Sequence, residues 1–114
     1  MGGYGGTVDA NEYQRLAMRT LNPELDRTQV LTNAVMGLSG ESGEATDIVK
    51  KHLFQGHELD REALAAELGD VCWYVAEAAT ALGIELGDVL EANIAKLQAR
   101  YPEGFDSDRS INRK

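Results

Sequence analysis

The sequence has few of the features of a disulfide-rich, membrane-spanning or nucleic-acid-coating protein. Its 114 residues include one cysteine, Cys72, which excludes internal disulfides and favours a reducing compartment. No apolar run approaches the roughly 18 residues of a membrane span, and no signal-peptide pattern opens the chain. The 11 Lys and Arg against 19 Asp and Glu argue against non-specific nucleic-acid binding. We therefore expect a soluble, cytoplasmic, single-domain protein without nucleic-acid or membrane partners.

Alternating strand patterns are also missing, and helical periodicity dominates the chain. Capping residues, glycines and prolines mark where each helix begins and ends. The predicted helices run from Asp9 to about Leu21, from about Asp26 or Thr28 to Phe54, over residues 61–82, and from about Leu86 to Arg100. Four helices joined by short connections predict an all-α four-helix bundle.

The bundle is assigned to residues 9–102, with a short segment on either side. Residues 1–8 contain four glycines among the first six positions, which predicts a flexible N-terminal lead. Residues 103–114 form a polar C-terminal tail without helical periodicity, which favours a loop or a partner-docking arm. From Val71 to Leu82 the only charged residue is Glu77, so the third helix is apolar almost all round. We expect homo-oligomerisation, as a homodimer or homotetramer, to cover its remaining face.

Two acidic pairs lie within or beside the apolar stripes of their helices. Glu41 and Glu44 are three residues apart, as are Glu67 and Asp70, so each pair shares one side of a helix. An arbitrary acidic pair is more often solvated surface, but at roughly 100° per residue apolar side chains surround both of these pairs. Carboxylates that face one interior lose hydration, at several kcal/mol per ion, unless protons or cations neutralise them.

A divalent cation is the neutralising partner that this pattern favours. Hard cations take oxygen ligands, and Mg²⁺ typically binds through carboxylates, water and substrate phosphate. No histidine stands in the Glu-x-x-His spacing of di-iron bundles, which favours Mg²⁺, with Mn²⁺ as a substitute, over iron. The predicted metal ligands are Glu41, Glu44, Glu67 and Asp70.

Five sequence elements follow one another in the order that one enzyme family shows. They are Gly37-Leu38-Ser39-Gly40-Glu41-Ser42-Gly43-Glu44, Lys50-Lys51, Glu67-Leu68-Gly69-Asp70, Asn93-Ile94-Ala95-Lys96-Leu97 and Arg100-Tyr101-Pro102. Together, over about residues 33–105, they resemble the MazG-like branch of the all-α NTP pyrophosphohydrolases. Some relatives carry a second acid directly after the first glutamate, where this chain has Ser42.

The resemblance implies an enzyme and a reaction. It implies Mg²⁺-dependent hydrolysis of (deoxy)nucleoside triphosphates between the α- and β-phosphates, giving monophosphate and pyrophosphate. Canonical and modified nucleotides are both candidate substrates, and hydrolysis of modified ones would be a housecleaning activity. The four carboxylates would be catalytic by holding metal, and one that is not fully committed to metal would take a proton from water. Glu44 is favoured for that role, although spacing does not assign it.

A polyphosphate substrate also requires positive and polar groups from the protein. Asn93, Lys96 and Arg100 form one polar row along the fourth helix, and the resemblance favours them as substrate contacts. Lys51 lies on the side of the second helix that carries Glu44, and it is a further candidate phosphate ligand. Trp73 is a candidate for stacking on the base, although packing is the more frequent role of an aromatic residue in an apolar helix.

Two alternatives stay open on the sequence alone. Phosphoribosyl-ATP pyrophosphohydrolase is a related all-α enzyme with similar acidic motifs. A non-catalytic helical module for oligomerisation or partner binding could carry the same carboxylates as a structural metal site. The base and sugar preference, the number of metal ions and the oligomeric state are not determined by these patterns.

Overall fold

The structure, a computed structural model, describes residues 6–112. This part of the chain is helical and has no β-strand apart from an isolated bridge between Pro102 and Gly104. Its five helices are α1 (Ala10–Met18), α2 (Arg27–Phe54), α3 (Arg61–Ala81), α4 (Leu86–Arg100) and α5 (Ser107–Ile111). The predicted all-α class is confirmed, and the predicted number of helices is one too few. Of the predicted N-terminal lead, residues 1–5 lie outside the described residues.

Aspartate side chains begin the first three helices at the predicted places. Asp9 and Asp60 each accept a hydrogen bond from the backbone N–H three residues along, at 2.8 and 3.0 Å. Asp26 and Gln29 form a reciprocal pair, in which each side chain accepts a hydrogen bond from the backbone N–H of the other residue. Such caps satisfy N–H groups that a helix leaves free, and each stabilises its helix by about 1 kcal/mol.

α1 ends at Met18, a turn before the predicted end near Leu21. The carbonyl oxygen of Ala17 accepts hydrogen bonds from the Thr20 hydroxyl at 2.7 Å and from the Trp73 indole N–H at 3.2 Å. The same indole N–H lies 2.9 Å from the Thr20 hydroxyl oxygen. A contact with α3 therefore fixes the last turn of α1, and local stop signals in the sequence do not contain that information.

α2 and α3 form the most extensive helix pair and run antiparallel. Residues early in α2 meet residues late in α3: the Asn33 amide donates to both carboxylate oxygens of Glu77, at 3.0 and 2.9 Å. One turn further along α2, the ring of Tyr74 lies directly against Gly37. One further turn along the same antiparallel alignment, the acidic pair of α2 (Glu41 and Glu44) comes beside the acidic pair of α3 (Glu67 and Asp70).

The close α2–α3 approach depends on the absence of a side chain at Gly37. A Cβ there would overlap the Tyr74 ring, whereas a Cβ at Gly40 would meet nothing. We expect Gly37→Ala to lower the free energy of unfolding by about 1–3 kcal/mol, because the ring and the helix must move apart. Gly40→Ala is the matched control and should raise it by up to about 1 kcal/mol, because alanine favours a helix. Urea unfolding measures both, and equal effects would contradict the packing described here.

Side chains of α1 cap the beginning of α4. Glu85, at the N-cap position of α4, makes no side-chain capping bond. Instead, the backbone N–H of Leu86 donates to the Gln14 side chain and that of Gly87 donates to the Asn11 side chain, both at 2.7 Å. Because these two hydrogen bonds come from another helix, they fix the direction in which α4 leaves the rest of the fold.

Beyond this anchor, α4 has little cover within one chain. Every residue from Leu90 to Ala99 is exposed, including the apolar row Leu90, Ile94 and Leu97. The radius of gyration is 17.1 Å, against about 13 Å for a compact chain of this length. In the described part of the chain the buried apolar residues are few, and four of the six are alanine: Val30, Ala34, Ala76, Ala79, Ala81 and Leu86. A single chain therefore leaves apolar surface of α4 uncovered.

The C-terminal tail is folded where a loop was expected. Gly104 has a φ of +96°, and its N–H donates to the Tyr101 carbonyl at 3.2 Å, which turns the chain after α4. The Phe105 ring lies 5.5 Å from the Tyr101 ring, between centroids. Asp106 then caps α5, so the prediction of a loop is wrong for residues 107–111. The helix is too short for a periodic pattern to reveal it.

None of these helices, within residues 6–112, is long and apolar enough to span a membrane.

Candidate metal centre

Three carboxylates from α2 and α3 converge at one point of the antiparallel pair. Glu41 comes from α2, and Glu67 and Asp70 come from α3. One carboxylate oxygen of each can be chosen so that all three oxygens lie within 4.8 Å of one another. The sequence pattern placed each pair on one side of its helix, and the α2–α3 register brings the two sides together. Among the described residues, this cluster has the spacing of a metal-binding group.

Two oxygen atoms of this cluster lack the partners that buried polar atoms require. The Oε2 atoms of Glu41 and Glu67 are both buried, and neither has a hydrogen-bond partner. A buried acceptor without a donor is destabilising, more so when it carries charge. Oxygen atoms that are close together, anionic and without donors match the ligand preference of Mg²⁺ and Mn²⁺. The donor set therefore fits a hard divalent cation.

The pKa of Glu67 is raised above its ordinary value. The largest cause is the hydrogen bond that a proton shared with the Glu41 side chain would make, followed by burial; the negative charges of Glu41 and Asp70 add to the increase. Raised pKa values follow whenever neighbouring carboxylates compete to be ionised. Protonation of Glu67 would therefore reduce the repulsion among the three carboxylates when no cation is bound.

Glu44 lies beside the cluster of three and is exposed. A side-chain interaction with Glu44 lowers the Glu67 pKa, in opposition to the larger effects. Of the four predicted metal ligands, the structure therefore gathers three, and it leaves Glu44 at the exposed edge. A carboxylate at that edge is accessible to water.

The predicted phosphate ligand Lys51 has a partner of its own. Its Nζ lies 3.0 Å from Asp47 Oδ2, one helical turn back on α2, and both side chains are about half exposed, at 47% and 48%. The hydrogen bond from Lys51 is the main cause of a lowered Asp47 pKa. An exposed pair of this kind contributes little stability, so it leaves the lysine able to exchange partners.

The predicted substrate contacts of α4 are not brought to the carboxylates within one chain. Asn93 and Lys96 lie on the exposed length of α4, which has no extensive packing against α2. Arg100 lies against the ring of Tyr101, with its guanidinium carbon 5.8 Å from the ring centroid. Trp73, the candidate base contact, lies edge-on to Tyr74 at 5.1 Å between ring centroids. Its N–H is used in the contact with α1 described above.

Two further residues near the site were not singled out from the sequence. Tyr13 of α1 lies near Asp70 and Cys72, and its pKa is raised by burial first and by electrostatic interaction with these two residues second. Glu77 is fully buried and bonded to Asn33, two turns of α3 beyond Asp70. The sequence could have pointed to Glu77, since it is the one charged residue in an apolar stretch of α3. No sequence pattern points to Tyr13, because only the packing of α1 brings it close to Asp70.

Comparison with known proteins identifies relatives of the chain. A family model described as "MazG nucleotide pyrophosphohydrolase domain" matches residues 29–105. The match covers nearly all of α2, the whole of α3 and α4, and the turn up to Phe105, and it leaves out α1 and α5. "Gene 37 protein" of Mycobacterium phage L5 is 39% identical over 94 residues, which cover 79% of this chain and 82% of the phage protein. No solved structure gives a significant match.

Proposed function

Because this chain belongs to the MazG nucleotide pyrophosphohydrolase family, we propose that it hydrolyses (deoxy)nucleoside triphosphates to monophosphate and pyrophosphate. The observation that supports this proposal best is the cluster of Glu41, Glu67 and Asp70, with its two buried oxygen atoms that lack donors. A structural surface cluster would not bury acceptors in this way. Modified nucleotides, as in housecleaning, are the substrates that we propose to test beside the ordinary ones.

The three clustered carboxylates would hold Mg²⁺, or Mn²⁺ as a substitute. When bound, the ion supplies positive charge to the phosphate oxygens and acidifies the attacking water. Glu67 must be deprotonated to act as a ligand, and its raised pKa means that metal binding should weaken as the pH falls. Glu44, exposed beside Glu67, is the carboxylate that we propose as the acceptor of the proton from water.

Positively charged side chains of the chain would neutralise the triphosphate. We propose that Lys96 and Arg100 bind its phosphate oxygens and that Asn93, on the same row of α4, makes a polar contact with the substrate. Lys51 would exchange Asp47 for a phosphate when substrate is bound. Trp73 keeps the role of a base contact as a prediction, although its N–H is bound to α1.

A homo-oligomer, either a dimer or a tetramer, is part of this proposal. The apolar row of α4 is about half exposed, with Leu90 at 48%, Ile94 at 55% and Leu97 at 42%. Covering such a row is favourable by roughly 25 cal/mol for each Å² of apolar surface removed from water. A second copy that covers α4 would also provide a route for its cations to reach the carboxylates of another chain. A cytoplasmic location stays a prediction from the sequence.

A screen for pyrophosphate release tests the reaction. The purified chain is incubated with Mg²⁺ and each common NTP and dNTP, oxidised and methylated nucleotides, and phosphoribosyl-ATP, and both products are identified. We expect pyrophosphate and a monophosphate from at least one nucleoside triphosphate. Turnover of phosphoribosyl-ATP alone would instead identify the histidine-pathway activity. No turnover, with Mg²⁺ still bound, would identify a non-catalytic module.

Variants of the carboxylates connect that reaction to the cluster. Glu41→Gln and Asp70→Asn each remove a charged ligand while keeping the side-chain shape, and we expect each to lower kcat by about a hundredfold or more. Glu24→Gln is the control, because Glu24 is an exposed residue between α1 and α2. Full activity in a folded Asp70→Asn variant would exclude the proposed ligand set.

A further inference from the structure

The end of α4 and the short helix α5 border a second, largely open site that the carboxylate cluster does not use. A cavity of about 590 Å³ lies between them. Three cations line it: Lys96 and Arg100, one turn apart on α4, and Arg109 on α5. α5 lies outside the stretch that the family model matches, so neither the family nor the sequence motifs assign a role to Arg109.

Within the part of the chain that the structure describes, Lys96, Arg100 and Arg109 form no ion pair with an acidic side chain. Like charges that are gathered around a cavity repel one another unless an anion lies between them. These three side chains can therefore bind an anion, provided that acidic side chains of the same cavity do not neutralise their charge.

The acids of the cavity leave it with a net positive charge. Asp106 and Asp108 also line it, which gives three positive and two negative side chains. The Oδ1 atom of Asp106 accepts hydrogen bonds from the N–H groups of Asp108 at 2.9 Å and Arg109 at 3.4 Å, as the N-cap of α5. Its charge is thereby engaged with the helix it begins. Asp108 is then the acid that remains to oppose an anion.

We propose that Arg109 joins Lys96 and Arg100 to bind a chain of linked phosphates in this cavity. Arginine forks match the oxygen geometry of phosphate, and lysine adds a point charge, so the cation set suits several adjacent phosphates better than a single carboxylate. This proposal rests on the proposed function, because it assigns the triphosphate of the nucleotide, or the pyrophosphate released from it, to the cavity. α5 acts as a clamp that closes the phosphate site of α4 from the other side.

Binding measured without metal and without turnover tests the clamp. Inorganic tripolyphosphate and pyrophosphate are titrated calorimetrically into the full chain in the presence of EDTA. Arg109→Gln should raise the Kd of tripolyphosphate about tenfold, the loss expected for one charge-assisted contact. Arg109→Lys should recover part of that loss, because the charge returns without the fork. Arg61→Gln is the control, since Arg61 is an exposed arginine at the beginning of α3, and it should leave the Kd unchanged.

Comparing tripolyphosphate with pyrophosphate shows whether the cavity binds the triphosphate of the substrate or the released product. Tighter binding of tripolyphosphate than of pyrophosphate identifies the substrate as the occupant, and equal binding identifies the released product. Kinetics give an independent readout: Arg109→Gln should raise KM for the nucleotide with little change in kcat, because the contact binds ground state and transition state alike.

Failure of this proposal differs from failure of the proposed function. Unchanged Kd and KM in a folded Arg109→Gln variant that still releases pyrophosphate would overturn the clamp and leave the enzyme assignment intact. Arg109-dependent binding of tripolyphosphate, without hydrolysis of any nucleotide, would support the phosphate site while removing the reaction.

Discussion

Replacing Glu67 with glutamine is expected to raise the melting temperature of the metal-free protein, to remove the stabilisation that Mg²⁺ should provide and to lower kcat strongly. Glutamine keeps the shape of the side chain but removes the charge that Glu41 and Asp70 oppose. Without metal, the variant is therefore relieved of repulsion. With metal, it lacks a ligand, and an ion that binds only the folded state no longer shifts the unfolding equilibrium. We expect kcat to fall by about a hundredfold or more.

The same prediction has a pH dependence with a definite sign. Glu67 has a raised pKa in the folded chain, so its protonated form is favoured by folding. Its contribution to metal-free stability is complete below the ordinary pKa of a glutamate and is lost as the pH rises through the raised pKa. A bound Mg²⁺ ion would displace that proton, so the stabilisation that we expect from the ion should be lost in the opposite direction, as the pH falls through the same range.

Thermal unfolding of wild type and Glu67→Gln, in EDTA and in Mg²⁺, from acidic to neutral pH, measures both signs. The difference between the two proteins isolates Glu67, because other acids titrate in both. Glu24→Gln should follow the wild type under every condition. If Glu67→Gln unfolded at the wild-type temperature and kept its response to Mg²⁺, the carboxylates would not form a metal centre.

The features that local chemistry determines were predictable from the sequence. Asp9, Asp26 and Asp60 cap their helices because a short carboxylate reaches the free N–H groups of a first turn whatever the rest of the chain does. The i, i+3 spacing of Glu67 and Asp70 on one side of α3 is equally local. Their meeting with Glu41 required one further assumption, that α2 and α3 pack through their apolar stripes, and this packing is present.

The features that long-range contacts determine were not predictable. Trp73 shortens α1, and Gln14 caps α4, through hydrogen bonds between residues more than 50 positions apart. Helical periodicity predicted the apolar row of α4, but whether other residues of the same chain cover that row depends on tertiary packing, which periodicity does not contain. Arg109 looked like one charge of a polar tail, because the turn at Gly104 that brings α5 beside α4 depends on the pairing of two aromatic rings.

Mixing two inactive variants is expected to restore activity, because the cations and the carboxylates of one site are expected to come from different copies. In one chain, α4 is anchored at Leu86, leaves the α2–α3 pair, and exposes every residue from Leu90 to Ala99. Among residues 6–112, α4 has no extensive packing against α2 that would bring Lys96 to the carboxylates. A second copy that covers the apolar row of α4 would bring its own carboxylates to those cations.

The two variants are Glu67→Gln, which lacks a metal ligand, and the double variant Lys96→Gln with Arg100→Gln, which lacks phosphate ligands. In a symmetric dimer, random exchange makes half of the dimers mixed, and each mixed dimer has one site with both sets intact. Equal mixing after subunit exchange should thus restore about a quarter of the wild-type rate.

The control is each variant mixed with itself, which should stay at its own residual rate. If the sites are instead completed within a single chain, every site in the mixture carries one defect, and the rate stays at the average of the two variants. That result would place α4 against its own carboxylates in solution, in a conformation in which the helix folds back from the anchor provided by α1. The outcome therefore decides whether Lys96 and Arg100 serve the metal centre of a neighbouring copy or that of their own chain.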